Sequence, residues 1–596
     1  MIRTAIVLGL LALLGPERAP AGDVLIGTAG KAHCTIVVAA KADETERHAA
    51  DELARFLGEC LGAHFEIKPP AQAGSGARIY VGREAVGARI SAAEYAALGN
   101  EGYLVRTDGS IWIAGATSRG TLYGVYALLE QKLGCRWFTP EVSRIPSSKR
   151  VEVPAGELRF VPPLEYRATD YPNSRDADWA VRNHLNGTQT RIDKARGGKI
   201  DYSHFVHTFN ELVPPSEFAA HPDWFSEVHG KRTADNAQLC VTNPAVLARA
   251  IETVRGWMKA APDATIFSVS QNDCFKPCSC ANCKKLYEEE GEAWSGPYLH
   301  FVNAIAAALA KEFPGKSLDT LAYQFTRRPP EHVKPLANVI VRLCSIECCF
   351  AHPLDSPAEL DEANAKFTFD LGEWSRRSQR LYIWDYVIDY SHTIMPFPNL
   401  ASIAPNIRTF VKNGVKGVYE EADYFTAGGE FAELRTWIIA KSLWDPEYDT
   451  EKAIAEFLDG FYEDAQKPLA QYIKLLHDRA AQQKIHFTIW TGPDSPLIDA
   501  ATMKKADELF DEAEKLVASK PAVLDRVRTA RLPILYVELN QAADALQKGA
   551  SDKASYVALL ERFDGIAKKA GVTMINEGMA YDAWLAGARK VAETAK

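Results

Sequence analysis

Apolar residues recur at helical spacing from Glu44 to Leu61, with Ala49, Leu53, Phe56, Leu57 and Cys60 on one stripe. The β-branched run Cys34–Ala40 precedes that helix, and Ala77–Gly82 is a second strand that stops at glycine. Residues 102–114 predict a hairpin turning at Asp108-Gly109. Thr117 to Leu133 then predicts a packing helix with Leu122, Val125, Leu128 and Leu129 inward and Gly134 as its C-cap. The proline-rich stretch Pro140–Pro163 resembles a linker.

From Leu164 the pattern becomes strand, polar loop, helix, repeated. The expected strands are Glu165–Asp170, His204–Phe209, Thr265–Val269, Asp319–Gln324, Val339–Leu343, Leu381–Asp385 and Lys416–Tyr419. Helices such as Pro244–Ala260, Gly296–Phe313 and Ser402–Asn413 lie between them. Repeated βα units imply a parallel sheet, and seven or eight over about 280 residues fit a closed TIM-like (β/α)8 barrel. No glycine-rich phosphate fingerprint follows any strand, which disfavours a dinucleotide-binding sheet. From Asp445 onward the spacing is helical over Lys452–Tyr462, Lys467–Lys484, Asp499–Ser519, Leu524–Gln547 and Lys553–Lys569. That region is expected to be a scaffolding bundle.

The fold class is therefore α/β, with a leader over 1–22, an α/β domain over 23–155, a barrel over 156–445 and a helical domain over 446–596. The leader is a signal peptide: Arg3 begins it, Ala5 to Leu14 are apolar, and Ala19-Pro20-Ala21 is a small-residue cleavage site. The apolar run is too short to span a bilayer, so a secreted or periplasmic protein with no membrane span is expected. A net charge of −9 argues against general nucleic-acid binding.

In such barrels chemistry sits at the C-terminal ends of the strands. Asp273 follows the third strand, Glu347 the fifth, Asp385 ends the sixth, and Glu420 with Glu421 ends the seventh. Convergent carboxylates of this kind are what glycoside hydrolysis needs: one acid for the leaving oxygen, one carboxylate for water or the anomeric carbon. Glu420 is the expected base or nucleophile with Asp385 beside it, and Asp273 or Glu347 the expected acid. A strand-end acid also serves as a helix cap, but Glu420 has no helix immediately after it to cap. Glu421 is a solvated or hydrogen-bonded companion expected among the substrate-binding residues, since alternation sends neighbours to opposite faces, and parity alone leaves open which of the two faces inward. His204, His207, Trp224, Asn272, Tyr323, Trp384, Tyr386 and Tyr424 fall at or beyond strand ends and are expected to bind substrate, aromatic rings packing on sugar C–H faces. No cofactor is called for, and no metal is assigned to catalysis.

Of the eleven cysteines, Cys34, Cys60, Cys135 and Cys240 are scattered, while Cys274, Cys278, Cys280 and Cys283 cluster, as do Cys344, Cys348 and Cys349. An exported chain favours disulfides joining Cys278, Cys280 and Cys283 to Cys344, Cys348 or Cys349 on the 344–349 loop, Cys348 being the one singled out. Four thiolates holding a structural zinc is the alternative.

Residues 36–139, with Gly115-Ala-Thr-Ser-Arg-Gly-Thr-Leu-Tyr-Gly-Val-Tyr126 and Leu133-Gly-Cys-Arg-Trp-Phe-Thr-Pro140, resemble the N-terminal domain of family 67 α-glucuronidases and family 20 hexosaminidases. His221-Pro-Asp-Trp-Phe-Ser226 also resembles family 67. Ser268-Val-Ser-Gln-Asn-Asp273 and Trp437-Ile-Ile-Ala-Lys-Ser-Leu-Trp-Asp445 resemble an uncharacterised bacterial glycoside hydrolase-like family. By position, the family 67 water-activating pair corresponds to Asp385 and Glu420, and that likeness implies inversion. The carboxylate of the family 67 acid and the Asp-Glu pair of family 20 have no counterpart on the fourth strand. These features together imply a secreted glycoside hydrolase acting on a polysaccharide or glycan that contains uronic or amino sugars. The alternative is a non-catalytic carbohydrate-binding protein on a degenerate barrel; a cysteine-loop metal protein is a third reading. The oligomeric state is not legible.

Overall fold

Helix Glu44–Leu61 begins where Asp43 accepts a hydrogen bond from the Glu46 amide at 2.9 Å, and it ends at Gly62 in the left-handed region. That is the span its apolar stripe predicts. The computed structural model describes residues 22–594, so the expected signal peptide falls, up to residue 21, outside the described residues. The chain divides into two compact units.

The first unit runs to Cys135 and takes in Ile145–Val161. Its main sheet has strand order Gly156–Phe160, Tyr103–Thr107, Ile111–Gly115, Arg78–Val81, Thr35–Val38, Ile67–Lys68. The expected hairpin forms, with Thr107 paired to Ile111 and Gly109 at φ 63° in the turn. The stretch read as a linker differs from expectation. Arg150–Val153 pairs with Val24–Thr28, and Gly156–Phe160 pairs with Tyr103–Thr107, so it supplies edge strands.

The second unit holds Arg136–Arg144 and everything from Pro162. Six parallel strands form one sheet, in the order Tyr166–Thr169, Gly417–Glu421, Leu381–Tyr386, Val339–Cys344, Ser317–Ala322, Ile266–Ser268. The first strand in sequence thus pairs directly with the last. The eight strands of a full (β/α)8 barrel are not present among the described residues. The expected strand His204–Phe209 does not form; one parallel bridge stands just before it, Tyr202 to Ile266. Beyond it the backbone bends at His207, where φ is 55°, and Phe209–Leu212 is a helical turn.

Both faces of this sheet are buried. Alternation sets the inner layers. At the base, Tyr166 stacks on Tyr382 with ring centroids 5.5 Å apart, and the close approach requires glycine at 417. A Cβ there would meet the Tyr166 Cβ and the Tyr382 ring at 2.8 Å. Above them the buried Arg342 donates to Asp319 at 2.8 Å and to the Phe205 carbonyl. Its guanidinium lies 4.3 Å from the Phe205 ring centroid and 4.9 Å from that of Trp384. Helices Thr450–Phe457, Gln466–Gln483, Ala500–Leu516, Pro521–Gln547 and Lys553–Ala570 follow, as the spacing predicts, with a further helix Tyr581–Thr594 after a short hairpin. No helix among the described residues is long and apolar enough to cross a membrane.

The inner layer makes a stability prediction. Arg342→Met leaves the Asp319 carboxylate buried without its counter-charge, which costs about 3–5 kcal/mol. The double variant Arg342→Met/Asp319→Leu recovers most of that loss in urea unfolding followed by tryptophan fluorescence. Equal destabilisation by both would show that the ion pair does not organise the layer.

Candidate active site

A cavity of about 460 Å³ opens at the C-terminal edge of the parallel sheet. That is the size of an ordinary small-ligand site, at the edge where α/β sheets bind ligands. The inner-face positions of the strands form its floor. Trp384 and Tyr386 come from one strand, Tyr419 and Glu421 from the next, Cys344 and Leu321 from two others. Asp170 extends the strand Tyr166–Thr169 by one residue. Phe205, Val206 and His207 cross the mouth, held by the Ser203 amide on the Ile266 carbonyl and the His207 Nδ1 contact with the Gln271 carbonyl at 2.7 Å.

Two acids on adjacent strands face this space. Asp170 accepts from the Tyr419 hydroxyl at 2.5 Å and from the Ala422 amide at 2.7 Å. Burial pushes it up to about 7 against those bonds. Glu421 accepts from Trp384 Nε1 at 2.6 Å. Burial, and then the charge of Asp170, push it up to about 8. Of the pair, Asp170 has the environment that favours the carboxylate and Glu421 the one that favours the proton. At the other end of the strand order, the exposed Asp273 accepts from the Tyr323 hydroxyl at 3.1 Å. Glu577 accepts from the Tyr424 hydroxyl at 2.7 Å and completes the acidic lining.

Of the residues singled out in the sequence, His207, Asp273, Tyr323, Trp384, Tyr386, Glu421 and Tyr424 meet at this cavity. Glu420 and Asp385 do not. Each is one residue out of phase with the lining positions, so each points behind the sheet. There Asp385 accepts from the Ser345 hydroxyl, and the Glu420 carboxyl oxygens have no hydrogen-bond partner. Burial raises Glu420 well above the usual carboxylate range, with the charge of Asp385 adding to it. Glu347 is also displaced: it is exposed and pairs with Arg327 at 2.9 Å. His204 stacks on Trp257 at 3.8 Å, and Trp224 stacks on His221 at 4.0 Å, both outside the cavity lining. Asn272 is structural. Its side chain donates to Asn210 at 2.9 Å and to the Ala237 carbonyl at 2.8 Å.

Asp170 has the strand-end signal of the other acids but was absent from the expected set. Trp490 and Glu577 lie in the region read as scaffold, and sequence order offers no hint of their placement. Trp490 is 63% exposed at the rim, where the Tyr390 amide binds the Ile489 carbonyl at 2.9 Å.

No disulfide forms among the described residues, which include every cysteine of the chain. The expected link to the 344–349 loop is absent. Cys278, Cys280 and Cys283 instead gather with Cys240, while Cys348 is buried in the segment after strand Val339–Cys344. Cys240 Sγ stands 3.6 Å from Cys280 Sγ and 3.9 Å from Cys283 Sγ, well beyond the roughly 2.05 Å of an S–S bond.

A family model described as a domain of unknown function, DUF4838, matches residues 137–474, the span that holds the sheet and most of the cavity wall. The chain belongs to this family. The glycosyl hydrolase family 67 N-terminus model matches residues 27–128, where the sequence motifs pointed. No curated protein matches the chain in sequence. Among solved structures, a family GH115 4-O-methyl-α-glucuronidase with specificity for decorated arabinogalactans, BtGH115A, is similar with a TM-score of 0.58 at 12% identity. The match covers 96% of this chain and 80% of that one. A family 89 glycoside hydrolase from Clostridium perfringens, in complex with its substrate GlcNAc-α-1,4-galactose, matches with a TM-score of 0.52 at 10% identity. It covers 89% of this chain and 65% of that one. At these identities the likeness is one of fold: this DUF4838 chain has the architecture of glycoside hydrolases.

The position of Glu420 has a measurable consequence. Its folded form holds the proton above the ordinary carboxylate value of 4.5, whereas the unfolded chain releases it there. Between the two values the unfolded state binds fewer protons, so stability falls as pH rises. Glu420→Gln removes that titration. Between about pH 5 and about pH 8 the variant is expected to lose less melting temperature than the parent. Parallel losses in both proteins would place the Glu420 carboxyl in water.

Proposed function

We propose that the protein is a glycoside hydrolase whose reaction takes place in the cavity at the strand ends, with Glu421 as general acid. The observation that carries this reading is the Asp170–Glu421 pair. An acid that works near neutral pH must hold its proton there, and burial beside a like charge achieves that. Burial, and then the charge of Asp170, gripped by Tyr419 and the Ala422 amide, keeps Glu421 protonated. Asp273, from the far end of the strand order, serves the opposite face of the sugar as the carboxylate that activates water. Trp384, Tyr386 and the exposed Trp490 supply ring faces for sugar C–H surfaces. The six strands and the bridge at Tyr202 act together as a (β/α)8-type barrel wall. The leader over residues 1–22 directs the chain out of the cytoplasm, to an extracellular glycan.

The lining also bears on substrate. It carries Asp170, Asp273, Glu421 and Glu577, and no lysine or arginine among the described residues. A uronic carboxylate would meet like charge with no lysine or arginine in the lining to pair with. Neutral and amino sugars fit this lining better, and a panel of glycans with reducing-end detection compares them with uronic-acid-linked ones.

On the glycan that the parent cleaves, Glu421→Gln is expected to lower kcat by about 10²- to 10⁴-fold, the range of a general acid. Glu420→Gln is expected to stay near the parent. Activity should fall as pH rises through about 8, where Glu421 gives up its proton. Asp170→Asn removes the neighbouring charge, so the alkaline limb should move to lower pH. Undiminished hydrolysis by Glu421→Gln removes it from the mechanism, and tight glycan binding without turnover by the parent favours a binding protein instead.

A further inference from the structure

We propose that Cys240, Cys278, Cys280 and Cys283 bind one zinc ion, which pegs the turn that carries Asp273. The four sulfurs come from two separate segments, and all lie within 4.8 Å of one another in a buried site. Thiolates around tetrahedral zinc, with Zn–S bonds of about 2.3 Å, stand about 3.8 Å apart. The Cys240 contacts of 3.6 and 3.9 Å match that spacing and leave the sulfurs unbonded to one another. Each thiol gives up its proton on binding, and the resulting Zn(Cys)4 centre carries a net charge of −2. The surroundings suit such a charge. Arg232 Nη1 donates to Cys278 Sγ at 3.4 Å, the Glu227 amide donates to the same sulfur at 3.3 Å, and the Thr242 hydroxyl lies 3.1 Å from Cys283 Sγ. Cys280 and Cys283 also sit at the N-terminal end of helix Ala281–Glu289, which favours negative charge.

The site reaches the cavity through its ligand segments. Gln238, two residues before Cys240, accepts from the Asn272 amide at 2.9 Å. It donates to the Asn272 carbonyl at 2.7 Å and to the Cys274 carbonyl at 2.8 Å. Asp273 is thus gripped between Gln238 on one side and the first of the clustered ligands, Cys278, on the other. Strand Ile266–Ser268 ends well before this turn, so the sheet does not itself hold Asp273. This inference is independent of the assignment of Glu421, because its readouts do not involve turnover.

The test uses the full chain, purified without added reductant. Metal analysis should find about one zinc per chain. Exchange with cobalt(II) should give an intense thiolate-to-cobalt charge-transfer band and the visible bands of a tetrahedral centre. Cys280→Ser should lose most of that band. Cys349→Ser is the control and should keep it, since Cys349 belongs to a different group with His352, Asp361 and His486. If Cys280→Ser does not fold, titration of the parent with a mercurial keeps the test open: zinc should leave as four thiols react. Removal of the metal should raise amide hydrogen exchange over residues 272–283. Parent protein without zinc that gives no cobalt–thiolate band overturns the proposal. So does peptide mapping that finds disulfides among the four cysteines. Unchanged exchange over 272–283 after metal loss overturns the pegging role.

Discussion

Side chains alternate along a strand, and in the second unit both faces of the central sheet are buried. One binary choice of phase therefore decides which residues at the sheet edge reach solvent. Arg342 makes that choice. Its guanidinium has a buried partner, Asp319, and three aromatic faces, Tyr202, Phe205 and Trp384, only on the inner side. Slipping strand Gly417–Glu421 by one residue would put Lys416 or Val418 in the place of Gly417, where a Cβ meets Tyr166 and Tyr382. The pairing of Trp384 with Tyr419, and of Tyr386 with Glu421, carries the phase across the sheet. Glu421 faces the cavity and Glu420 does not because the layer beneath them leaves no other arrangement.

Raised carboxyl values alone do not separate these two glutamates. Glu420 beside Asp385 and Glu421 beside Asp170 are both buried pairs of like charge, and both are pushed up. Burial in structural positions shifts acids as strongly as burial in working ones. The distinction lies in geometry. The Asp170–Glu421 pair opens on a cavity, and its members have unequal partners: a hydroxyl and an amide on Asp170, an indole N–H on Glu421. Glu420 and Asp385, behind the sheet, are absent from the cavity lining.

Much of the fold was legible in the sequence where local rules suffice. Helix Pro244–Ala260 starts at an Asn243 cap followed by proline, and Glu44–Leu61 at an Asp43 cap, so pattern and capping agreed on their bounds. The strand ends and their aromatic residues were legible for the same reason. The phase was not, because a strand buried on both faces lacks the polar outer face that would reveal it. A signal was nevertheless present: Tyr382, Trp384 and Tyr386 alternate with Leu381, Ile383 and Asp385, and Arg342 stands among Val and Leu. Bulky aromatic and charged residues in one phase mark the inner layer, and carrying that phase to Gly417 and Tyr419 points to Glu421. Cys240 and Trp490 carried no comparable signal, since only tertiary packing brings them to their clusters.

The groups around the cavity are held in two different ways. Asp170 and Glu421 sit at or next to the last hydrogen-bonded position of paired strands, and the ladder fixes them. Asp273, Trp490 and Glu577 lie on turns outside the parallel sheet. Each is restrained from outside its own segment. Asn272 is locked by Gln238 and Asn210, Ile489 is bound by the Tyr390 amide, and Asn576 donates to the Ser391 carbonyl at 3.2 Å. A cavity closed by such turns has one rigid wall and one adjustable wall. The ladder-held wall carries Asp170 and Glu421 side by side, and the other wall is built by distant parts of the chain.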